Sequence, residues 1–65
     1  MKTAEAKKYV GIEHDVIVTL ASHYYVNKIR CKIVQIAGRN LLVDLGGMTD
    51  WLWLPGITSI KIADD

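Results

Sequence analysis

The chain lacks the features that mark several common classes of protein. Its 65 residues include a single cysteine, Cys31, so an internal disulfide is excluded, and no group of cysteines and histidines has the spacing of a zinc site. No apolar run approaches the roughly 18 residues of a membrane helix, although 51% of the residues are hydrophobic. The formal net charge is only +1, which argues against a nucleic-acid binder that relies on net charge alone.

Catalytic chemistry is also missing from the sequence. There are no carboxylates paired at a useful spacing, no nucleophile beside a base and no phosphate-binding loop. His14 and Asp15 are neighbours, but adjacent residues of a strand point to opposite faces, so they predict a polar lead-in to a strand rather than an acid–base pair. We therefore expect a protein that is not an enzyme and that needs neither a cofactor nor a metal.

The size of the chain and its first residues lead to two further expectations. Met1 and Lys2 are followed by a polar segment, unlike a signal peptide, which predicts a cytoplasmic protein without a membrane partner. A domain this small buries only about 60% of its unfolded surface. Closure of a sheet and assembly into a homo-oligomer are therefore the expected means of stabilisation.

Most of the apolar residues lie between residues 28 and 62, which predict four strands. Apolar side chains at 29, 31 and 33 alternate with basic ones at 30 and 32, which is the period of a β-strand, and Cys31 falls on the apolar, core side. After Ile33 the apolar positions change from odd to even numbers, because Val34 and Ile36 are the next apolar pair; this is called the change of parity below. We therefore expect a bulge near 33–34 within one long, bent strand.

The remaining segments complete a mainly β domain. Strands are predicted at 16–20, 41–45, 51–54 and 57–62, and the glycines of Gly46-Gly47 predict a turn with positive φ. A short helix over 3–10, capped by Thr3 and ended by Gly11, should rest on the sheet. The predicted fold is a single domain over 1–65, a strongly bent five-stranded β-barrel (15–62) after an N-terminal helix (1–11), with an acidic, mobile tail at 63–65.

Aromatic residues mark two places in this layout. Trp51 and Trp53 share one face of a short strand, and the leucines at 52 and 54 share the other. The leucines suit a barrel interior better, so the tryptophans predict an exposed binding face, with cover by the N-terminal helix as the alternative. Tyr24 and Tyr25 lie in the connection 22–27, for which a packed hairpin tip is the favoured interpretation and a ligand site with His23 the other.

The order of these parts resembles the Sm-like barrel family. The segments that carry the resemblance are VIVTL (16–20), KIRCKI (28–33), NLLVDL (40–45) and WLWLPGITSIKI (51–62), and the layout is similar to that of the RNA chaperone Hfq and of the Rho inhibitor Rof. The resemblance implies an RNA-associated barrel that forms homo-oligomers. The family's RNA-binding residues do not carry over, because Ala37-Gly38 replaces its aspartate turn and Leu54-Pro55-Gly56 replaces the Tyr-Lys-His motif of Hfq. Src-homology-3-like and Tudor-like barrels remain open.

Two functions follow as hypotheses. The first is an RNA-binding or RNA- and transcription-regulatory barrel, in which basic side chains contact phosphates and aromatic ones stack on bases. The second is a protein-interaction module or regulatory subunit that uses an exposed tryptophan face or an edge strand. Both depend on the same candidate binding residues, which are Trp51, Trp53, Arg30, Lys32, Arg39, Tyr24 and Tyr25.

Overall fold

The chain begins with a short helix and continues as five antiparallel strands in one sheet. In the computed structural model, which describes residues 1–63, α1 spans Thr3–Ala6 and a 3₁₀ turn follows at Lys7–Tyr9. The strands are β1 (Val16–Ala21), β2 (Val26–Ala37), β3 (Asn40–Asp44), β4 (Thr49–Trp53) and β5 (Ile57–Ile62), and a second 3₁₀ turn, Leu54–Gly56, separates the last two. The prediction of a mainly β fold with one short N-terminal helix is confirmed.

The order of the strands across the sheet is β4-β3-β2-β1-β5. The first four strands therefore form a meander of hairpins, and β5 returns to pair with β1 on the far side. Within residues 1–63, no strand pairing joins β4 to β5, so these two strands are the edges of the sheet. The prediction that the sheet closes into a barrel is thus not confirmed by the strand pairing.

The long strand β2 serves both halves of the sheet. Its first half, Val26 to Cys31, pairs with β1, and its second half, from Lys32 onward, pairs with β3. The register with β3 shifts between Ile33 and Gln35. Val34 is the extra residue and its side chain is exposed. The predicted bulge near 33–34 is confirmed, and it lets apolar residues on either side of the parity change face the same core.

One hydrophobic core lies under both halves of the sheet. Cys31 is buried in it, as predicted, and burial raises the pKa of its thiol above the ordinary value of 9.0, with a smaller contribution from the negative charge of Asp15. The buried residues come from the helix, from β1, β2, β3 and β5, and from the second 3₁₀ turn; they are Ala6, Val16, Val18, Cys31, Ile33, Leu41, Val43, Leu54, Ile57 and Ile60.

The N-terminal helix differs in two ways from the prediction. Its N-cap is Lys2 and no side chain caps it, so the assignment of Thr3 as the cap is wrong; Thr3 is the first helical residue. The α-helix ends at Ala6 rather than near Val10, because the chain tightens into a 3₁₀ turn and Val10 then forms a parallel bridge with Ile33. The helix does rest on the core as expected, with Ala6 buried and Tyr9 packed against it.

The connection between β3 and β4 is a tight turn that requires glycine. Gly46 and Gly47 have φ of 91° and 114°, which confirms the predicted positive φ. The side-chain Oδ1 of Asp44 accepts a hydrogen bond from the N–H of Gly46 at 2.9 Å. The N–H of Leu45 donates to the carbonyl of Met48 at 2.8 Å and closes the turn. This turn sets the register of β4, which carries both tryptophans.

Two expectations concern segments outside the sheet. Within residues 1–63, the helices are all too short to reach across a membrane. The acidic tail at 63–65 was predicted to be mobile; the N–H of Ala63 donates to the carbonyl of Asp15 at 2.9 Å, and Asp64 and Asp65 lie outside the described residues.

Candidate functional site

Strand β4 presents both tryptophans to solvent. The side chains of Trp51 and Trp53 are 49% and 61% exposed, whereas Leu52 is half-buried and Leu54, just after the strand, is buried. This is the alternation of a strand with one face on the core. The alternative in which the N-terminal helix covers the tryptophans is therefore wrong.

The strand register places three further side chains beside the tryptophans. Trp53 is opposite Asn40, and Trp51 is opposite Leu42, which is in turn opposite Gln35 of β2. Directly opposed residues of antiparallel strands project from the same side of the sheet, about 4.5–5.5 Å apart at Cβ. These five residues, Trp51, Trp53, Leu42, Asn40 and Gln35, are called the tryptophan face below. Leu42 is half-buried and the other four are exposed.

The tryptophan face is positioned by backbone contacts at one end. The N–H of Leu54 donates to the carbonyl of Arg39 at 2.8 Å, which ties the end of β4 to the turn between β2 and β3. A Cβ added to Gly56 would lie 3.5 Å from Cε3 of Trp53, so the indole ring lies against the second 3₁₀ turn. The indole of Trp53 thus has a fixed backbone beside it on one side and solvent on the other.

Two of the predicted basic residues lie at opposite ends of this face. Arg39 is the turn residue next to Asn40 and is exposed. Lys32 is directly opposite Asp44, which is itself opposite Thr49 at the start of β4. The chemistry of the face is therefore two indole planes and two side-chain amides that donate and accept hydrogen bonds, with Arg39 at one end and the opposed Lys32 and Asp44 at the other.

Arg30 and the two tyrosines lie elsewhere. Arg30 is opposite Ile17 on the half of the sheet formed with β1, and its Nε bonds Oδ2 of Asp15 at 3.0 Å. Tyr24 and Tyr25 are in the four-residue connection between β1 and β2, which is a hairpin tip as expected. Tyr24 is 94% exposed and Tyr25 is also exposed, so the prediction that this tip is packed is wrong. The core ends below the tip, at Leu20, and offers these rings no partner surface.

Of the seven predicted residues, the structure thus brings Trp51 and Trp53 together, with Arg39 and Lys32 at the two ends. Sequence reasoning missed Leu42, Asn40 and Gln35 as neighbours of the tryptophans. The sequence signal that could have placed Leu42 and Asn40 on the outer face was their alternation with the apolar residues at 41 and 43. Gln35 follows the bulge, so its face depends on the register of the shifted strand.

Over residues 1–63, no group of three or more histidine, cysteine, aspartate or glutamate side chains is arranged to bind a metal ion. Comparison of the chain with protein families, with curated proteins and with solved structures gave no match.

Proposed function

We propose that the protein is a small RNA-binding module of the Sm-like barrel kind, which acts in RNA or transcription regulation as a homo-oligomer. The observation that carries the proposal is the outward-facing pair Trp51 and Trp53, with amides and cations around it. Aromatic rings take up bases by stacking, at about 1–3 kcal/mol per base, and this works with any base because each has a π face. The amides of Asn40 and Gln35 can bond base edges, and Arg39 and Lys32 can contact phosphates.

The barrel assignment has its own support. A helix precedes five antiparallel strands, the bulged β2 is shared between two halves of the sheet, and a 3₁₀ turn joins β4 to β5. Both halves bury their apolar side chains in one core. The bond from Leu54 to Arg39 brings the end of β4 against the β2–β3 turn. These features match the order of parts in Sm-like barrels, in which a strongly bent sheet wraps around its own core.

The proposal is tested by removing one indole at a time. Labelled A-rich and U-rich RNA of about twelve nucleotides, a length within the range of small single-strand binders, is titrated with the parent and with Trp51→Leu and Trp53→Leu. If each ring stacks on one base, each variant binds about 5- to 150-fold more weakly, which corresponds to about 1–3 kcal/mol. Val26→Ala is the control, because Val26 is an exposed apolar residue away from the tryptophan face. Equal affinity of the parent and both tryptophan variants would refute the role of this face.

A second candidate function is favoured by the open edge of β4. Within residues 1–63, this strand pairs only with β3, so its outer side can take another strand once the N–H of Trp51 is released from Oδ1 of Asp50, to which it donates at 2.8 Å. An exposed tryptophan pair beside such an edge is also typical of a protein-binding hot spot. If the face serves self-association rather than RNA, the tryptophan variants lower the molar mass in solution while the far-ultraviolet circular dichroism stays unchanged. An unchanged molar mass counts against this candidate.

A further inference from the structure

A second surface with different chemistry lies on the half of the sheet formed by β5, β1 and β2. Two cross-strand rows define it. Ile17 of β1 is flanked by Arg30 of β2 and Lys61 of β5, and Thr19 is flanked by Lys28 and Ser59. Residues that are directly opposed, or two apart on one strand, project from the same face of a sheet. The two rows therefore form one continuous surface.

This surface is a groove of about 440 Å³. Its lining combines three cationic side chains, two hydroxyls and an apolar floor, from Ile17, Thr19, Lys28, Arg30, Ser59, Lys61, Ile62 and Ala63. We call it the basic groove. Three of the eight basic residues of the chain line it, and none of the lining residues is acidic, although the chain has seven acidic residues and a net charge of only +1. Because Arg30 also forms an ion pair with Asp15, the net positive charge of this surface comes from Lys28 and Lys61.

The spacing of the strands determines how far apart the cations lie. Neighbouring strands lie about 4.8 Å apart, and residues two apart on a strand lie roughly 6.6–6.8 Å apart. Lys28 and Lys61 are therefore separated by two strand spacings and one step along the strands, which is about 12 Å between Cα atoms. Thr19 lies opposite Lys28, and Ser59 lies two residues from Lys61 on β5. Phosphates that lie between the two ammonium groups are attracted by both.

We propose that the basic groove binds consecutive phosphates of an RNA backbone. Ammonium and hydroxyl groups are the donors that proteins use most for phosphate oxygens, and Ile17 at the centre provides an apolar floor for the ribose between two phosphates. The assignment depends on Lys28 and Lys61, with Thr19 and Ser59 as additional donors. It rests on the proposed RNA-binding function and assigns a division of roles, in which the tryptophan face contacts bases and the basic groove contacts the backbone.

Strand β2 connects the two surfaces. The first half of β2 carries Lys28 and Arg30 of the basic groove, and the second half carries Gln35 of the tryptophan face. A single RNA strand that follows β2 therefore meets both surfaces in turn. Phosphate contacts depend on salt and not on base identity, whereas stacking depends little on salt, so the two contributions can be measured separately.

The test is the salt dependence of RNA binding by Lys28→Gln/Lys61→Gln. Glutamine keeps much of the side-chain length and removes the charge from two exposed positions. Each lost phosphate contact lowers the slope of log K against log salt by about 0.7 for a single strand, so we expect a slope smaller by about 1.4 and binding roughly tenfold weaker near 0.15 M salt. The loss should be the same for A-rich and U-rich RNA.

Two matched variants separate the effect of the groove cations from the effect of net charge. Lys2→Gln/Lys7→Gln removes the same two charges from exposed positions in the N-terminal segment, outside the residues that line the groove, and should bind RNA like the parent. Lys28→Arg/Lys61→Arg keeps both charges and should retain most of the affinity and the slope. Far-ultraviolet circular dichroism and the urea midpoint of each variant establish that it is folded as the parent is.

The outcomes separate this inference from the proposed function. If the parent binds RNA and Lys28→Gln/Lys61→Gln binds equally well with the same slope, the groove assignment is overturned while the RNA-binding function stands. Equal weakening by the control pair also overturns it, since the effect would then be one of net charge. A parent that binds inorganic tripolyphosphate but no RNA overturns both proposals.

Discussion

Leu41 and Leu42 are neighbours on β3 that face opposite sides of the sheet, and their truncation tests the register on which the tryptophan face depends. Leu41 is 0% exposed and lies between Ile36 and Leu52, whereas Leu42 is half-buried and lies between Gln35 and Trp51. A register shifted by one residue would exchange their roles and turn the tryptophans toward the core. The pair of variants Leu41→Ala and Leu42→Ala therefore reports which face is inside.

The expected magnitudes differ clearly. Removing a fully buried leucine side chain to Cβ costs about 2–5 kcal/mol, because apolar contacts are lost and a cavity remains. At Leu42 about half of a transfer term of about 1.5–3 kcal/mol is lost, together with a cross-strand contact of about 0.2–1 kcal/mol, which gives about 1–2.5 kcal/mol. For a chain of 65 residues, the whole free energy of unfolding is only about 3–10 kcal/mol. Leu41→Ala is therefore expected to remove a large part of it.

The assay is urea unfolding followed by far-ultraviolet circular dichroism, with the free energy of unfolding obtained by linear extrapolation. Leu41→Val and Leu42→Val accompany the alanine variants, because they remove less volume and keep the domain folded if Leu41→Ala is unfolded in buffer. We expect the larger loss at residue 41 in both series. A larger loss at residue 42 would refute the register, and with it the outward orientation of Trp51.

Two further predictions concern the core and the β3–β4 turn. Burial raises the pKa of the Cys31 thiol above 9.0. The stability that the buried neutral thiol provides is therefore complete below pH 9 and is lost as the pH rises toward the pKa of the folded state. The free energy of unfolding falls through this group by at most about 1.4 kcal/mol per pH unit. Urea unfolding between pH 8 and pH 11 should therefore show a steeper alkaline decline for the parent than for Cys31→Ala, and equal declines would contradict this assignment. Gly47→Ala should cost about 1–2 kcal/mol, because the φ of 114° disfavours any L side chain even though the space around it is open. Gly56→Ala is the matched change without positive φ and should be close to neutral, so equal losses in urea unfolding would show that the strain at Gly47 is absent.

The sequence was most informative where a single local pattern, such as strand alternation or a pair of glycines, determines the structure. The change of parity after Ile33 required an extra residue in the strand, and Val34 is that residue. Gly46 and Gly47 needed positive φ in a turn between two apolar strands, and they have it. Cys31 followed the apolar parity of its strand into the core. In each case, a local pattern determined a local structure.

Predictions failed or stayed incomplete where the structure depends on contacts between segments that are far apart in the sequence. Alternation placed Trp51 and Trp53 on one face of a strand, but which face the core covers depends on how the helix and β5 pack. The helix ended early because Val10 gains a bridge to Ile33, a contact far away in sequence. Tyr24 extends into solvent because the core ends before the hairpin tip.

The candidate surfaces show the same limit. Gln35 lies beside the tryptophans only because the bulge shifts the register of β2 with β3. The position of Lys61 opposite Ile17 does not follow from the spacing of residues in the sequence either, since β5 pairs with β1 across more than half of the protein. The binding residues predicted from residue type alone therefore included Arg30 of the basic groove but neither Lys28 nor Lys61.

The central claim, that the outward tryptophans of β4 contact RNA, is tested most directly by their own fluorescence. Short A-rich and U-rich RNA is titrated into the unmodified protein at low and at higher salt while the intrinsic emission is recorded. We expect emission typical of solvent-exposed indoles in the free protein, saturable quenching as bases stack, and weaker binding at higher salt. Blue-shifted emission that RNA leaves unchanged at either salt concentration would contradict it.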